Sequence, residues 1–186
     1  MFGDTLDFLI NTVFSLFGIA LVIRAWIHAI RLHPFNPYSQ AILRITNWLV
    51  QPLRHVIRPG HRADWPSLLA CWLTAFVQLI LIWLLHTGLI SPDILGPAAL
   101  AAAITCLKWA FNVIVWVTLI QAVLSWVNPL APIMAVLHTC TAPLLDPIRR
   151  MLPNTGGIDF SPLILLVVAQ TAMIFLGHLA YTLFGL

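Results

Sequence analysis

Four long apolar runs, separated by segments dense in proline and arginine, set the pattern of this chain. The runs cover about residues 6–30, 67–89, 98–127 and 162–186, and each supplies the roughly 20 apolar residues that a helix needs to cross a bilayer. The segments between them read differently. From Arg31 to Pro66, prolines at 34, 37, 52, 59 and 66 exclude one continuous helix. Within that loop, Tyr38–Val50 sets Ile42, Ile45, Trp48 and Leu49 on one side and Gln40, Arg44 and Asn47 off it. A segment so short and polar does not span. The pattern predicts an amphipathic helix at the membrane surface, with Trp48 and Arg44 at headgroup level. The second large loop, 128–161, predicts a similar helix over Ile133–Thr141.

The two loops are variants of one another. A constant offset lays Thr141 on Thr46, Pro147 on Pro52, Arg149 on Arg54, Asp159 on Asp64 and Phe160 on Trp65. In each copy an arginine-bearing turn leads through a Pro/Gly break to one aspartate, and a span follows. An internal repeat is the economical account, with residues 1–97 as the first copy and 98–186 as the second. Basic residues stay on the cytoplasmic side of a membrane. Arg31, Arg44, Arg54, Arg58 and Arg62 fall in the first loop and Arg149 and Arg150 in the second, whereas the termini and the middle turn carry only Asp4, Asp7 and Asp93. Both large loops are therefore expected in the cytoplasm and both termini outside, with the halves parallel and related by an axis along the membrane normal. The fold class expected is an all-α membrane protein: four transmembrane helices as two parallel-repeat hairpins, each with an amphipathic, interfacial helix in its cytoplasmic loop.

Composition sharpens this picture. The residues are 61% hydrophobic and 8% charged, with a mean hydropathy of +0.97, far from the roughly 25% charged residues of soluble domains. Residues 1–7 contain no Lys or Arg, unlike the basic start of a cleavable signal peptide, so the first run is expected to be a retained span. Arg24, near its end, is expected to run its stem along the helix and place its guanidinium at the interface. Cys71, Cys106 and Cys140 are scattered and match neither a disulfide framework nor a metal site.

The polar residues allow a few assignments. Arg54 with Asp64, and Arg149 or Arg150 with Asp159, are spaced to pair across the Pro/Gly turn, and Asp146 is an alternative partner. Arginines left over, namely Arg58, Arg62 and one of Arg149 and Arg150, suit anionic lipid headgroups or an anionic partner segment. Thr105, Lys108 and Asn112 form one polar face of the third run, and Thr118, Gln121 and Ser125 another. Together, Thr105, Lys108, Asn112 and Gln121 are the candidates for a hydrated path, against interhelical hydrogen bonding as the plainer alternative. Histidines 28, 33, 55 and 61 lack metal-site spacing. Zincin, hydrolase and phosphate-loop signatures are missing, so no catalytic residue, cofactor, metal or nucleic-acid partner is expected.

At Ser125-Trp126, Asn128-Pro129, Pro143-Leu144, Pro147-Ile148-Arg149-Arg150, Leu152-Pro153, Gly157-Ile158-Asp159 and Ser161-Pro162, the chain resembles the YggT family of bacterial membrane proteins, whose chloroplast relatives are called YlmG. The first half resembles it through Arg24-Ala25-Trp26, Asn36-Pro37, Pro52-Leu53-Arg54 and Asp64. It departs at Arg58-Pro59-Gly60-His61, which lacks the Gly-Gly pair, and at Pro66-Ser67, which reverses Ser-Pro. The resemblance implies a multi-pass protein of the bacterial inner membrane and no enzyme activity. It also implies a part in osmotic or ionic stress tolerance, with an oligomer forming or regulating an ion path. The other function it implies is a scaffold or assembly factor, in division or membrane-complex maturation, whose Arg/Pro loops bind membrane-protein partners or anionic lipid.

Overall fold

A computed structural model describes residues 2–32, 36–60, 63–89, 92–152 and 159–184. Among these residues the chain forms helices and no strand. In order they are α1 (Phe2–Ala29), α2 (Pro37–Val56), α3 (Trp65–Thr87), a 3-10 turn (Pro92–Ile94), α4 (Leu95–Val127), α5 (Ile133–Met151) and α6 (Ser161–Phe184). Four helices, α1, α3, α4 and α6, are long and apolar enough to cross a membrane. The 28 residues of α1 extend about 42 Å at 1.5 Å per residue, more than the roughly 30 Å of a hydrocarbon core. The protein is an all-α, multi-pass membrane protein.

Local chemistry sets the helix ends. Asn36 Oδ1 accepts from the Tyr38 N–H at 3.1 Å and Pro37 fills the first turn, so the Asn-Pro pair starts α2. α1 closes with the Leu32 N–H on the Ile27 carbonyl and the Arg31 N–H on that of His28, each at 3.1 Å. This Schellman closure puts Arg31 at φ 54°, where glycine is usual. α3 ends on Gly88 itself, at φ 71°, its N–H 2.9 Å from the Leu84 carbonyl.

The two loop helices, α2 and α5, run further than the proline pattern predicts. α2 continues through Pro52 to Val56 and α5 through Pro143 and Pro147 to Met151. Each proline removes one helical N–H, freeing the carbonyl four residues earlier. All three prolines are exposed, where water or headgroups can take up those carbonyls. The buried positions lie before or between them: Ser39, Thr46 and Val50 on α2, ahead of Pro52, and Leu137, Thr141 and Leu145 on α5, the last of these between Pro143 and Pro147.

The packing falls into two compact units, residues 1–110 with 176–186, and residues 111–175. In the first, α1 and α3 run antiparallel, because Asn11 meets Gln78, Gly18 meets Cys71 and Arg24 meets Asp64. α2 packs against both. The first half of α4 joins through Trp72 Nε1, which donates to the Ala99 carbonyl at 2.9 Å, and through Trp109, buried over Gly18. Ala98 and Ala102 of α4, small residues one turn apart, are buried, as close helix approach requires. In the second unit Thr141 of α5 donates to Gln121 Oε1 of α4.

Candidate functional site

The densest polar cluster lies where α1, α2 and the start of α3 meet. Arg24 is 2% exposed and Asp64 1%, both far below what an isolated charge tolerates. Arg24 Nη1 donates to Thr46 Oγ1 at 2.8 Å and to Asn47 Oδ1 at 2.9 Å. Thr46 Oγ1 in turn donates to the Ile42 carbonyl at 2.7 Å. Asp64 Oδ2 accepts from Ser67 Oγ at 2.6 Å and from Arg54 Nη2 at 3.2 Å, with Arg24 Nε 3.8 Å away. Two guanidiniums thus converge on one carboxylate oxygen. Asp64 also stands at the N-cap position of α3, without a side-chain bond to the helix's free N–H groups, at the end where the helix dipole favours an anion.

This arrangement corrects the expectation for Arg24. Its guanidinium is not at an interface but inside the protein, because α2 folds across α1 and supplies the Thr46 and Asn47 oxygens. The signal available in the sequence was Thr46 itself, a small polar residue that recurs as Thr141 under the repeat offset.

In the second unit the counterpart is more open. Arg149 Nε and Nη2 approach Asp159 Oδ2 at 2.9 and 2.8 Å, and Nη1 reaches Asp146 Oδ1 at 3.4 Å. The Ser161 N–H donates to Asp159 Oδ1 at 2.9 Å. Partial burial pushes the Asp159 carboxyl up, but the hydrogen bonds from Ser161 and the Arg149 guanidinium outweigh it and hold the group below its ordinary 3.8. The offset that lays Thr141 on Thr46 puts Leu119 on Arg24. No cation is available there, and Gln121 takes the buried threonine instead.

The remaining candidates are dispersed. Arg58 and Arg150 are exposed and make no ion pair among the described residues, while Arg62 lies outside them. Of the proposed path residues, Thr105 spends its hydroxyl on the Ala101 carbonyl at 3.0 Å, Lys108 is exposed, Asn112 is half-buried and Gln121 is held by Thr141. No hydrogen bond links these four among the described residues. Two further contacts join α1 to α3: Gln78 Nε2 donates to Asn11 Oδ1 at 2.8 Å, and His86 Nε2 stands 3.1 Å from Asp7 Oδ2.

A wall of one groove is formed by the same helices. Phe14 and Phe17 of α1, Trp48 and Leu49 of α2, and Leu73 and Val77 of α3 enclose about 390 Å³. The Phe17 and Trp48 rings meet at 5.4 Å. Thr74, also at the groove, turns its hydroxyl to the Ala70 carbonyl, so the lining is almost wholly apolar.

These features define a small helical membrane protein with two arginine–aspartate braces in its loops. The CCB3/YggT family model matches residues 3–85 and again 100–180, and the chain belongs to that family. It is 38% identical over 166 residues to the uncharacterised protein YggT of Escherichia coli (strain K12), covering 89% of this chain and 85% of that one. An uncharacterised protein in the proC 3′ region of Vibrio alginolyticus is 34% identical over 180 residues, 95% of each chain. An uncharacterised protein of Haemophilus influenzae is 30% identical over 177 residues, 95% of this chain and 91% of its own. No solved structure matches the chain.

Proposed function

We propose that the protein is a non-enzymatic scaffold or assembly factor of the bacterial inner membrane. Both arginine- and proline-rich loops face the cytoplasm, both termini the opposite side, and exposed loop arginines engage acidic segments of partner membrane proteins and anionic headgroups. The observation that carries this is how the arginines are used. Arg24, Arg54 and Arg149 are taken up by carboxylates, whereas Arg58, just past α2, and Arg150, in the last turn of α5, are presented to the surroundings. Braced helices that display unspent cations suit recognition better than turnover. The full-length Arg58→Ala/Arg150→Ala protein should insert at wild-type level and lose most of its co-purifying membrane proteins. Unchanged recovery of those proteins from the variant counts against the scaffold.

A second function, an ion path formed or regulated by an oligomer in osmotic or ionic stress tolerance, is favoured by the polar contacts Asp7–His86 and Asn11–Gln78 inside two apolar helices. Purified protein in liposomes should then conduct ions faster than empty vesicles, and Lys108→Ala should reduce survival of osmotic shock. Flux equal to that of empty vesicles, with shock survival unaltered by Lys108→Ala, removes this function.

A further inference from the structure

The reversal of Ser-Pro to Pro66-Ser67 in the first copy leaves one oxygen of the buried brace without a donor. In the second copy the Ser161 N–H donates to Asp159 Oδ1 at 2.9 Å. The offset that lays Asp159 on Asp64 puts Pro66 at the place of Ser161, and proline has no N–H to give. Asp64 stands at the N-cap of α3 and Pro66 two residues on, one of the two positions whose N–H a capping side chain ordinarily accepts. The other, Ser67, offers its hydroxyl to Oδ2, the oxygen to which Arg54 also donates. Asp64 Oδ1 is therefore buried with no hydrogen-bond partner among the described residues. So is Arg24 Nε, which lies 3.8 Å from the other oxygen of the same carboxylate.

Buried polar groups are almost always bonded, to protein or to internal water. At 3.8 Å the approach of Nε to Oδ2 is too long for a direct hydrogen bond, the spacing at which a bridging water is expected. Whatever joins the two open atoms must donate to Oδ1 and accept from the Nε–H. A cation would satisfy only the carboxylate, and an anion only the guanidinium. Water does both, and a pair of open polar partners is enough to hold it. We infer that this junction is a binding site for one internal water, held between Arg24 Nε and Asp64 Oδ1, in the role that the Ser161 N–H plays in the second copy. The water completes the hydrogen bonding of both buried charges. The site is independent of the scaffold function, which uses Arg58 and Arg150.

The test is a water–protein ROESY experiment on the full-length protein in lipid nanodiscs, deuterated and carrying isotopically labelled arginine, with the Nε–H signal of Arg24 assigned. Wild type should show a cross-peak between that proton and the water resonance, with the sign of dipolar contact and not of proton exchange. Pro66→Ser restores a backbone N–H at the place of Ser161, so it should satisfy Oδ1 from the chain, abolish the cross-peak and melt no lower than wild type. Pro66→Ala should do the same without an added hydroxyl. Absence of the dipolar cross-peak from wild type, or a cross-peak of undiminished intensity in either proline variant, overturns the assignment. A shift of the Arg24 signal when chloride is exchanged for bromide, without a water cross-peak, overturns it too, by placing an anion there.

Discussion

Asp64→Asn should be among the most damaging single substitutions in this chain, costing about 3–5 kcal/mol of stability, the range for removing one partner of a buried ion pair. The shape of the side chain is kept, so the loss is electrostatic. Arg24 is only 2% exposed, and Arg54, at 39%, can turn outward only in part. With the carboxylate neutralised, two cations face each other across the junction of α1, α2 and α3. The measurement is thermal denaturation of purified protein in detergent, followed by the fraction remaining monodisperse. Arg24→Gln should be nearly as harmful, because it strands the Asp64 anion. The double variant Arg24→Gln/Asp64→Asn should cost clearly less than the sum, since neither charge is then stranded. By contrast, Asp159→Asn in the open brace should cost no more than about 1 kcal/mol, as exposed pairs do. A melting curve for Asp64→Asn that overlays wild type, or strict additivity in the double variant, defeats this account of the cluster.

What could be read from the chain depended on the range of the interaction. The four spans were legible because a bilayer imposes a length and a composition that one segment satisfies alone. The contacts Arg54–Asp64 and Arg149–Asp159, ten residues apart in each copy, were legible because a short turn closes them and the same spacing occurs twice. Helix ends at Val50 and Thr141 were misjudged because the prolines were read as breaks, whereas Pro52, Pro143 and Pro147 sit exposed within α2 and α5. Arg24 was misplaced for a related reason. An arginine near the end of an apolar run ordinarily reaches for the interface, and only the fold of α2 over α1 provides Thr46 and Asn47 as an interior alternative. The Asn11–Gln78 contact spans 67 residues and depends on the rotation of two helices, which periodicity leaves undetermined.

Gly18→Leu should disrupt the first unit as severely as the loss of Asp64, and for a purely steric reason. A Cβ at Gly18 would overlap the six-membered ring of Trp109, which is itself buried. The same backbone is also approached from α3, with Cys71 Sγ 4.0 Å from the Gly18 carbonyl. Three helices, α1, α3 and α4, thus meet at one residue, and the absence of a side chain is what admits the indole, as small residues do between membrane helices. Even Gly18→Ala should cost about 1–3 kcal/mol, the usual penalty for overfilling a packed site, and leucine more. The glycine does not recur: under the repeat offset Gly18 corresponds to Val113 and Trp109 to Phe14. That exchange suggests the compensating variant. Trp109→Phe in the Gly18→Ala background should recover part of the lost melting temperature, with a coupling of about 0.5–3 kcal/mol between the two sites, while Trp109→Phe alone should destabilise by leaving space beside Gly18. Equal melting of Gly18→Ala and wild type, or absence of any rescue by Trp109→Phe, would show that the helices do not meet there as closely as the ring over the glycine requires.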